Sequence, residues 1–341
     1  MGVETEPHGC SPTPLTWLLV GAGDIAQKRV GPAIVCSGGR RLVGICDSSL
    51  ERARALAARF GCEAVYADLD GALERCPAQA VYLATPVFLH SRQAAQVLAS
   101  GRHVLVEKPL GVCGADATIA LKAAEGKDLR AGCAYFRRLS PRYLHAKQML
   151  DAGEFGRVVS VRMSYASWFA PEPTDAKYWR VVRDYSGGGP LADMGSHMLD
   201  VLIGLFGEAR VIAARTANVI HQYAAEDSAA AFLELEGGAS VFIECHWCSR
   251  TWVHALEIIG TEASLKWNPF DSGPVLKTVG PKTEALDLPS AANVHAPLLD
   301  DFELAVRTGR DPAVSLREAY KTTVLLDAVY ETARRSSEAL R

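Results

Sequence analysis

The sequence predicts an α/β fold in two parts: a doubly wound parallel sheet, followed by an α+β domain with a large open, mostly antiparallel sheet. Three observations carry this. A short apolar run, a glycine-rich turn and a helical stretch follow one another over residues 15–37. Strands then alternate with helices through about residue 135, which implies parallel strands joined by crossover helices. After Arg137-Arg138-Leu139-Ser140-Pro141 the alternating runs follow one another with few helices between them, the pattern of an antiparallel sheet.

Leu15 to Val20 is the first strand, and Gly21-Ala22-Gly23-Asp24-Ile25-Ala26 opens a helix from about Ile25 to Ser37. This is G-x-G-x-x-[GA] in a strand–turn–helix setting, the Rossmann dinucleotide signature. Gly21 makes the tight turn, Gly23 lets the backbone meet a pyrophosphate, and Ala26 lets helix and strand pack closely. The free N–H groups of the helix start suit phosphates. Arg41 to Cys46 reads as the second strand, ending in Asp47. That acid lies about 20 residues past the glycine loop, where a carboxylate binds the ribose hydroxyls of the adenosine. It would repel a 2′-phosphate and so favours NAD over NADP, with Arg52 and Arg54 nearby pulling the other way. Ser48-Ser49-Leu50-Glu51 forms a capping box for the next helix.

Ala64 to Tyr66 is a short third strand. Ala80 to Ala84 is a fourth, ending in Thr85-Pro86-Val87-Phe88-Leu89-His90, and the helix after it stops at Ser100 before Gly101. His103 to Val106 is a fifth, ending in Glu107-Lys108-Pro109. A helix covers about Gly114 to Gly126, and Leu129 to Tyr135 is a sixth strand. Ligands of such sheets sit beyond the carboxyl ends of the strands. Gly21, Asp47, Thr85 and Lys108 all lie at such ends.

In the second half, Pro141 to Ala152 reads as a helix closed by Gly153. Alternating runs follow at Arg157 to Tyr165, Arg210 to Val219, Ala229 to Glu236, Ser240 to Trp247 and Trp252 to Ile259. In the first of these Val159, Val161, Met163 and Tyr165 share a face. Gly237-Gly238 is a hairpin-like turn. Residues 268–292, rich in Pro and Gly, read as irregular connection with at most one short strand. Two helices close the chain, from about Pro297 to Thr308 and along the stripe Leu316, Ala319, Tyr320, Thr323, Leu326, Val329, Tyr330 and Ala333. The division expected is a tail over 1–14, a dinucleotide-binding domain over 15–136, and a substrate and oligomerisation domain over 137–341 whose last helix can pack back on the first domain.

Between these runs lies Gly187-Gly188-Gly189-Pro190-Leu191-Ala192-Asp193-Met194-Gly195-Ser196-His197-Met198-Leu199-Asp200. The glycines allow a close approach to the backbone, and Pro190 suits a first helical turn. Asp193 and His197, four apart, share a helical face beside the stripe Met194, Met198, Val201 and Leu202. An acid and an imidazole at fixed spacing make a proton-transfer pair. Trp168, Phe169, Asp175, Lys177 and Tyr178, in the loop before the glycines, offer stacking faces and hydrogen bonds suited to a sugar ring.

The totals set bounds. The chain has 341 residues, a net charge of −3 and hydrophobic content of 49%, ordinary for a globular protein. This balance argues against nucleic-acid or anionic-membrane partners, and no apolar run reaches the roughly 18–20 residues of a membrane helix. Residues 1–14 lack the basic start and apolar stretch of a secretory signal. The nine cysteines are scattered except for Cys245-His246-Trp247-Cys248. No second pair accompanies it, so no metal site is expected. Buried free thiols in a reducing, cytoplasmic setting are expected.

With these motifs assembled, the chain resembles the Gfo/Idh/MocA oxidoreductases from Leu15 to about Ala333. The marks are the glycine loop, Thr85-Pro86 with His90, Glu107-Lys108-Pro109, Tyr178-Trp179-Arg180 and the glycine–Asp193–His197 stretch. The resemblance implies hydride transfer between NAD(P) and a hydroxyl or ketone of a sugar, inositol or related polyol, in a homodimer or homotetramer joined through the open sheet. It puts the catalytic residues on Lys108, Asp193 and His197. It puts the cofactor near Gly21, Gly23, Asp24, Ile25, Ala26, Asp47, Ser48, Thr85, Pro86, His90, Glu107 and Lys108, with Arg138, Trp179 and Arg180 near the nicotinamide or the domain junction. Substrate is expected at Trp168, Tyr178, Asp193 and His197. His197, poised near neutral pH, would take the hydroxyl proton. Asp193 would bond the hydroxyl or hold the imidazole, and Lys108 would stabilise the oxygen charge. Two alternatives share the fold: an NAD-dependent glycoside hydrolase using transient oxidation, and a non-catalytic NAD(P)-sensing regulator.

Overall fold

A computed structural model of the chain describes residues 13–339; most of the tail expected over 1–14 lies outside them. The first sheet contains β1 (Leu15–Val20), β2 (Arg40–Cys46), β3 (Val65–Tyr66), β4 (Ala80–Leu83), β5 (His103–Val106) and β6 (Ala131–Cys133). Their order is 3-2-1-4-5-6, all parallel, with the switch point between β1 and β4. Helices α1 (Gly31–Val35), α2 (Leu50–Phe60), α3 (Leu69–Arg75), α4 (Val87–Ala99) and α5 (Gly114–Ala124) make the crossovers. Two apolar layers, one with Leu18, Val81 and Val104 and the other with Trp17, Leu19 and Tyr82, sandwich this sheet. Its strands are buried on both faces, as parallel strands must be. The helix after the glycine loop begins with a π turn, Ala26–Val30.

The second part contains α6 (Pro141–Asp151), β7 (Val158–Trp168), α7 (Arg183–Ser186), α8 (Ser196–Phe206), β8 (Ala209–Ala217), β9 (Ser228–Leu235), β10 (Ser240–His246), β11 (Cys248–Gly260), β12 (Ala263–Trp267), β13 (Val275–Val279), β14 (Lys282–Leu286), α9 (Ala296–Thr308) and α10 (Leu316–Ala339). The eight strands run 14-13-12-11-7-10-9-8, and only β7 with β10 is parallel. One face packs on α8 through Met198, Val201 and Leu202 against Val161, Met163, Ile243 and Ile258. On the other, Phe242 stacks on Phe232 and stays exposed.

The structure corrects three readings. Residues 268–292 carry two strands, β13 and β14, paired as a hairpin, and β12 precedes them. The Gly and Pro of this stretch mark turns, not a loss of strand. The sixth strand is shorter than expected, because Phe136–Leu139 coils into a 3-10 turn. Val159 does not share a face with Val161: the register jumps from Ile259 opposite Ser160 to Gly260 opposite Val158. This bulge leaves Val159 over and exposed.

The chain's end returns to the first sheet. Val314, Leu316 and Ala319 join its core, and Gly132 bridges Ser315. Cys245 is buried, and Cys248 is half-buried; both are free. Among the described residues no helix is long and apolar enough to cross a membrane.

Candidate active site

The glycine loop shows two uses of glycine. Gly21 has φ +95°, and a Cβ there would lie 2.5 Å from the Ala84 carbonyl oxygen. It follows the end of β1, beside the end of its parallel neighbour β4. At Gly23 a Cβ would meet nothing within 4 Å: the backbone faces open space there. The first N–H groups of a helix lack intrahelical acceptors, so this cradle fits a pyrophosphate. Asp47 locks the loop, since Oδ2 accepts from Ala22 N (2.8 Å) and Oδ1 from Ser49 N (2.8 Å) and Arg52 Nη2 (2.7 Å). Ser48 beside it is exposed, and Ala26 is fully buried against the strand. Asp24 pairs with Lys28 and also feels the charges of Lys177 and Arg180. The Tyr178–Val181 turn, with half-buried Tyr178 and Trp179, therefore faces the glycine loop.

Two strand-end loops are tied together by His90. Its Nδ1 lies 2.8 Å from the Pro109 carbonyl and its Nε2 2.7 Å from the Thr85 carbonyl. Both ring nitrogens are thus spent on positioning Thr85-Pro86 and Lys108-Pro109. Glu107 is buried. Tyr82 donates to it (2.8 Å), and His295 Nε2 lies 3.3 Å from it. Burial would raise this carboxyl, but His295, Tyr82 and Lys108 outweigh it and lower it.

Lys108 meets the glycine–His stretch directly. Its Nζ donates to the Asp193 carbonyl (2.7 Å) and to Asp193 Oδ1 (2.8 Å), while Arg180 Nη1 donates to Oδ2 (2.8 Å). Burial alone would raise Asp193; the two cations hold it well below the usual carboxylate range. Asp193 sits in a π turn, Leu191–Gly195, and Ser196 Oγ caps its carbonyl (3.1 Å). Neither carboxylate oxygen goes to His197, so the idea that Asp193 holds the imidazole is corrected: the acid is held by Lys108 and Arg180.

His197 is buried edge-on to Tyr135 (5.7 Å) and Phe136 (5.3 Å). Its Nδ1 is buried without a partner, leaving Nε2 as the nitrogen for a ligand. Burial first, then Arg137 and Lys108, push its pKa well below the ordinary value. It is neutral at physiological pH and not poised to titrate there.

The three glycines approach the protein itself. A Cβ would lie 2.6 Å from the Val112 carbonyl at Gly187, 2.0 Å from the Tyr330 hydroxyl at Gly188 and 1.9 Å from the Glu226 carbonyl at Gly189. The expected close approach is therefore to the loop after β5, to α10 and to the β8–β9 connection. Arg138 sits at the junction of the two parts. Its guanidinium is taken by Asp200 (2.8 and 3.0 Å) and Glu318 (3.2 Å). Trp168 is engaged by Arg250 over its face (4.1 Å) and by His221 (4.8 Å), none of which belongs to the Lys108–Asp193–His197 group.

Sequence reasoning missed Arg137, His254, Asp271 and His295. Arg137 is buried and donates to Asp271 through Nε (2.8 Å) and Nη2 (2.6 Å). His254 Nδ1 lies 3.7 Å from Asp271, and burial with Arg137 pulls it down to about 4. These residues come from four separate elements and share no motif; the one available signal was Arg137's place just past the end of a strand. Among the described residues no group of three or more His, Cys, Asp or Glu side chains is placed to hold a metal.

Residues 15–135 match the model of an oxidoreductase family with an NAD-binding Rossmann fold, and residues 143–266 match the GFO/IDH/MocA C-terminal domain. The dTDP-3,4-didehydro-2,6-dideoxy-alpha-D-glucose 3-reductase of Streptomyces violaceoruber is 30% identical over 335 residues, covering 92% of this chain and 94% of that protein. Oxidoreductase P35 of Formosa agariphila is 27% identical over 201 residues, 58% of this chain and 62% of that protein. The crystal structure of the WlbA dehydrogenase of Bordetella pertussis, in complex with NADH and UDP-GlcNAcA, superposes with a TM-score of 0.84 at 26% identity, over 96% of this chain and 98% of that one. The chain belongs to the Gfo/Idh/MocA family of NAD-binding oxidoreductases.

Proposed function

We propose that this chain transfers hydride between NAD(P) and a secondary alcohol or ketone carbon of a sugar, inositol or related polyol, assisted by Lys108, Asp193 and His197. The observation that carries the reading is the Lys108–Asp193 pair at 2.8 Å. It joins side chains 85 positions apart, at the strand end where a Rossmann ligand lies, beside a neutral imidazole. Two of the relatives named above, the dTDP-sugar 3-reductase and the WlbA dehydrogenase, are named for or bound to a nucleotide-linked sugar, which supports a sugar substrate.

The glycine loop and the amides after Gly23 would hold the pyrophosphate, and Asp47 the adenosine ribose. When bound, the nicotinamide supplies the hydride acceptor or donor. The chain's own residues handle the rest. His197 Nε2, neutral because of its burial and flanking cations, accepts the hydroxyl proton as the alcohol is oxidised. Lys108 places a cation at the developing oxygen charge. Asp193 keeps that ammonium aimed and is itself braced by Arg180. The exposed apolar sheet face around Phe242 is where we place the contact between copies of the chain; sedimentation, with and without a Phe242→Glu change, tests it.

The deciding experiment is a screen of sugars, inositols, keto-sugars and nucleotide sugars, following NADH and NADPH absorbance in both directions. On the substrate found, His197→Asn and Lys108→Ala should retain dinucleotide binding and lose about 10²- to 10⁴-fold in turnover. Full activity in both variants, or no turnover of any compound of these classes, would defeat the reading.

A further inference from the structure

The segment Asn268–Gly273 looks in sequence like a turn between strands, yet it is anchored from several sides. Buried Arg142 donates to the carbonyls of Pro269 (3.3 Å) and Gly273. Phe270 N donates to the His254 carbonyl (2.7 Å), and Ser290 Oγ donates to the Asp271 carbonyl (3.2 Å). Arg137 grips the Asp271 carboxylate with two hydrogen bonds while lying over the rings of Phe136 (4.8 Å) and Phe270 (5.4 Å). Two largely buried arginines thus fix one short loop. Stability is a poor reason for this, because a buried ion pair gains little over apolar packing.

The asymmetry of the pair points to a binding role. Arg137 keeps 6% of its side chain exposed and Asp271 keeps 40%. The cation is behind and the carboxylate is in front. Phe136 links the pair to His197: its ring centroid lies 5.3 Å from the imidazole and 4.8 Å from the Arg137 guanidinium. His254, stacked on Phe270 at 4.8 Å, leaves Nε2 buried without a partner beside them. A buried polar atom left unpaired is unfavourable unless a water or ligand completes it.

We propose that Asp271, held by Arg137 and Arg142, is a substrate-binding carboxylate that accepts a hydrogen bond from a ring hydroxyl remote from the reacting carbon. The inference rests on the polyol reading above and deepens it. An ionised carboxylate accepts hydrogen bonds and donates none. It therefore selects a hydroxyl at that position and repels a carboxylate or phosphate there. Arg137 spends Nε and Nη2 on Asp271, and its Nη1 is buried without a partner, so the more exposed carboxylate is the member of the pair that a ligand meets. The substrate face it fits is an uncharged polyol or sugar ring.

The test uses Asp271→Asn and Asp271→Glu in the full chain, with the best neutral substrate from the screen and its monodeoxy analogues. Asp271→Asn should raise KM about 10- to 100-fold, the range for one hydrogen bond to a charged group. kcat should change by a few-fold at most, NADH binding should not change, and Asp271→Glu should recover part of the loss. One deoxy analogue should lose a similar factor in the wild type and lose little more in Asp271→Asn. An unchanged kcat/KM in Asp271→Asn, or deoxy penalties equal in both proteins, overturns the proposal. If Asp271→Asn does not fold, the wild type decides: it should prefer a neutral sugar about tenfold or more over the matching uronic acid, and equal use of the two overturns the proposal. If no polyol is turned over, the functional reading fails separately, and binding decides this one. Glucose or myo-inositol should then raise the melting temperature of the NADH-saturated wild type and not of Asp271→Asn. Equal shifts, or none in either protein, overturn it.

Discussion

The two walls of the cleft are built by different means. The cofactor wall is made of backbone. Gly21, Gly23 and the helix start present themselves within six residues of one another, and the single side chain that locks them, Asp47, ends the next strand. The facing wall is made of side chains from distant places: Lys108 after β5, Arg137 after β6, Asp193 and His197 about the start of α8, His254 on β11 and Asp271 beyond β12. A backbone site can be encoded locally because a turn and a helix start suffice. A side-chain site needs a completed fold to bring its members together.

This contrast can be broken first at the two glycines, which the same motif supplies for opposite reasons. Gly21→Ala puts a methyl into the Ala84 carbonyl at positive φ. It should cost about 2–5 kcal/mol of stability, read by urea denaturation. Gly23→Ala meets nothing in the protein. It should leave stability unchanged and weaken NADH binding about 10- to 100-fold, read by fluorescence titration. Equal stability losses in the two variants would erase the distinction.

The side-chain wall should show itself in the pH dependence of stability. His254 is lowered to about 4, against an ordinary value near 6.5. Between those values the unfolded chain binds a proton that the folded one refuses, so stability falls as pH drops from about 6.5 toward 4. The expected loss is roughly 2–4 kcal/mol, and His254→Gln should flatten it. His197, also lowered, adds to the fall in the same direction. Asp200, raised to about 6 by burial, acts in the opposite direction, so the check is the difference: a fall between pH 7 and pH 4.5 that is the same in the wild type and in His254→Gln would contradict the placement of His254.

The smallest effect concerns cofactor choice. Asp47 already accepts from Ala22, Ser49 and Arg52, and Arg52 is more than half exposed. Asp47→Ser should weaken NAD binding and shift the NADPH/NADH ratio toward NADPH by about tenfold, with Arg52 freed for a 2′-phosphate. An unmoved ratio would remove Asp47 from the ribose.

How much of this was legible follows from the same contrast. The six-strand sheet, the glycine loop and Asp47 could be read because each signal lies within a few residues. Lys108 and Asp193 were legible as residues, but their direct pairing was not, since nothing local relates positions 85 apart. The acidity of His197 is not legible in the sequence, because burial and the Arg137 charge come from tertiary packing. The anchoring of the Asn268–Gly273 loop is not legible locally, because Pro and Gly announce a turn and say nothing about what the turn delivers. The face of Val159 is not legible from alternation, because a bulge is set by the partner strand.

The three glycines before Asp193 have a consequence for how this protein can change. Each is pressed against a different neighbour: the loop after β5, the last helix and the β8–β9 connection. Four to six residues later the chain reaches the acid that pairs with Lys108. Any side chain added at Gly187, Gly188 or Gly189 must push one of those neighbours away or carry Asp193 off its partner. Diversity introduced by mutation should therefore be absorbed around Trp168 and Tyr178, which half-exposed positions tolerate, and refused at the glycine junction.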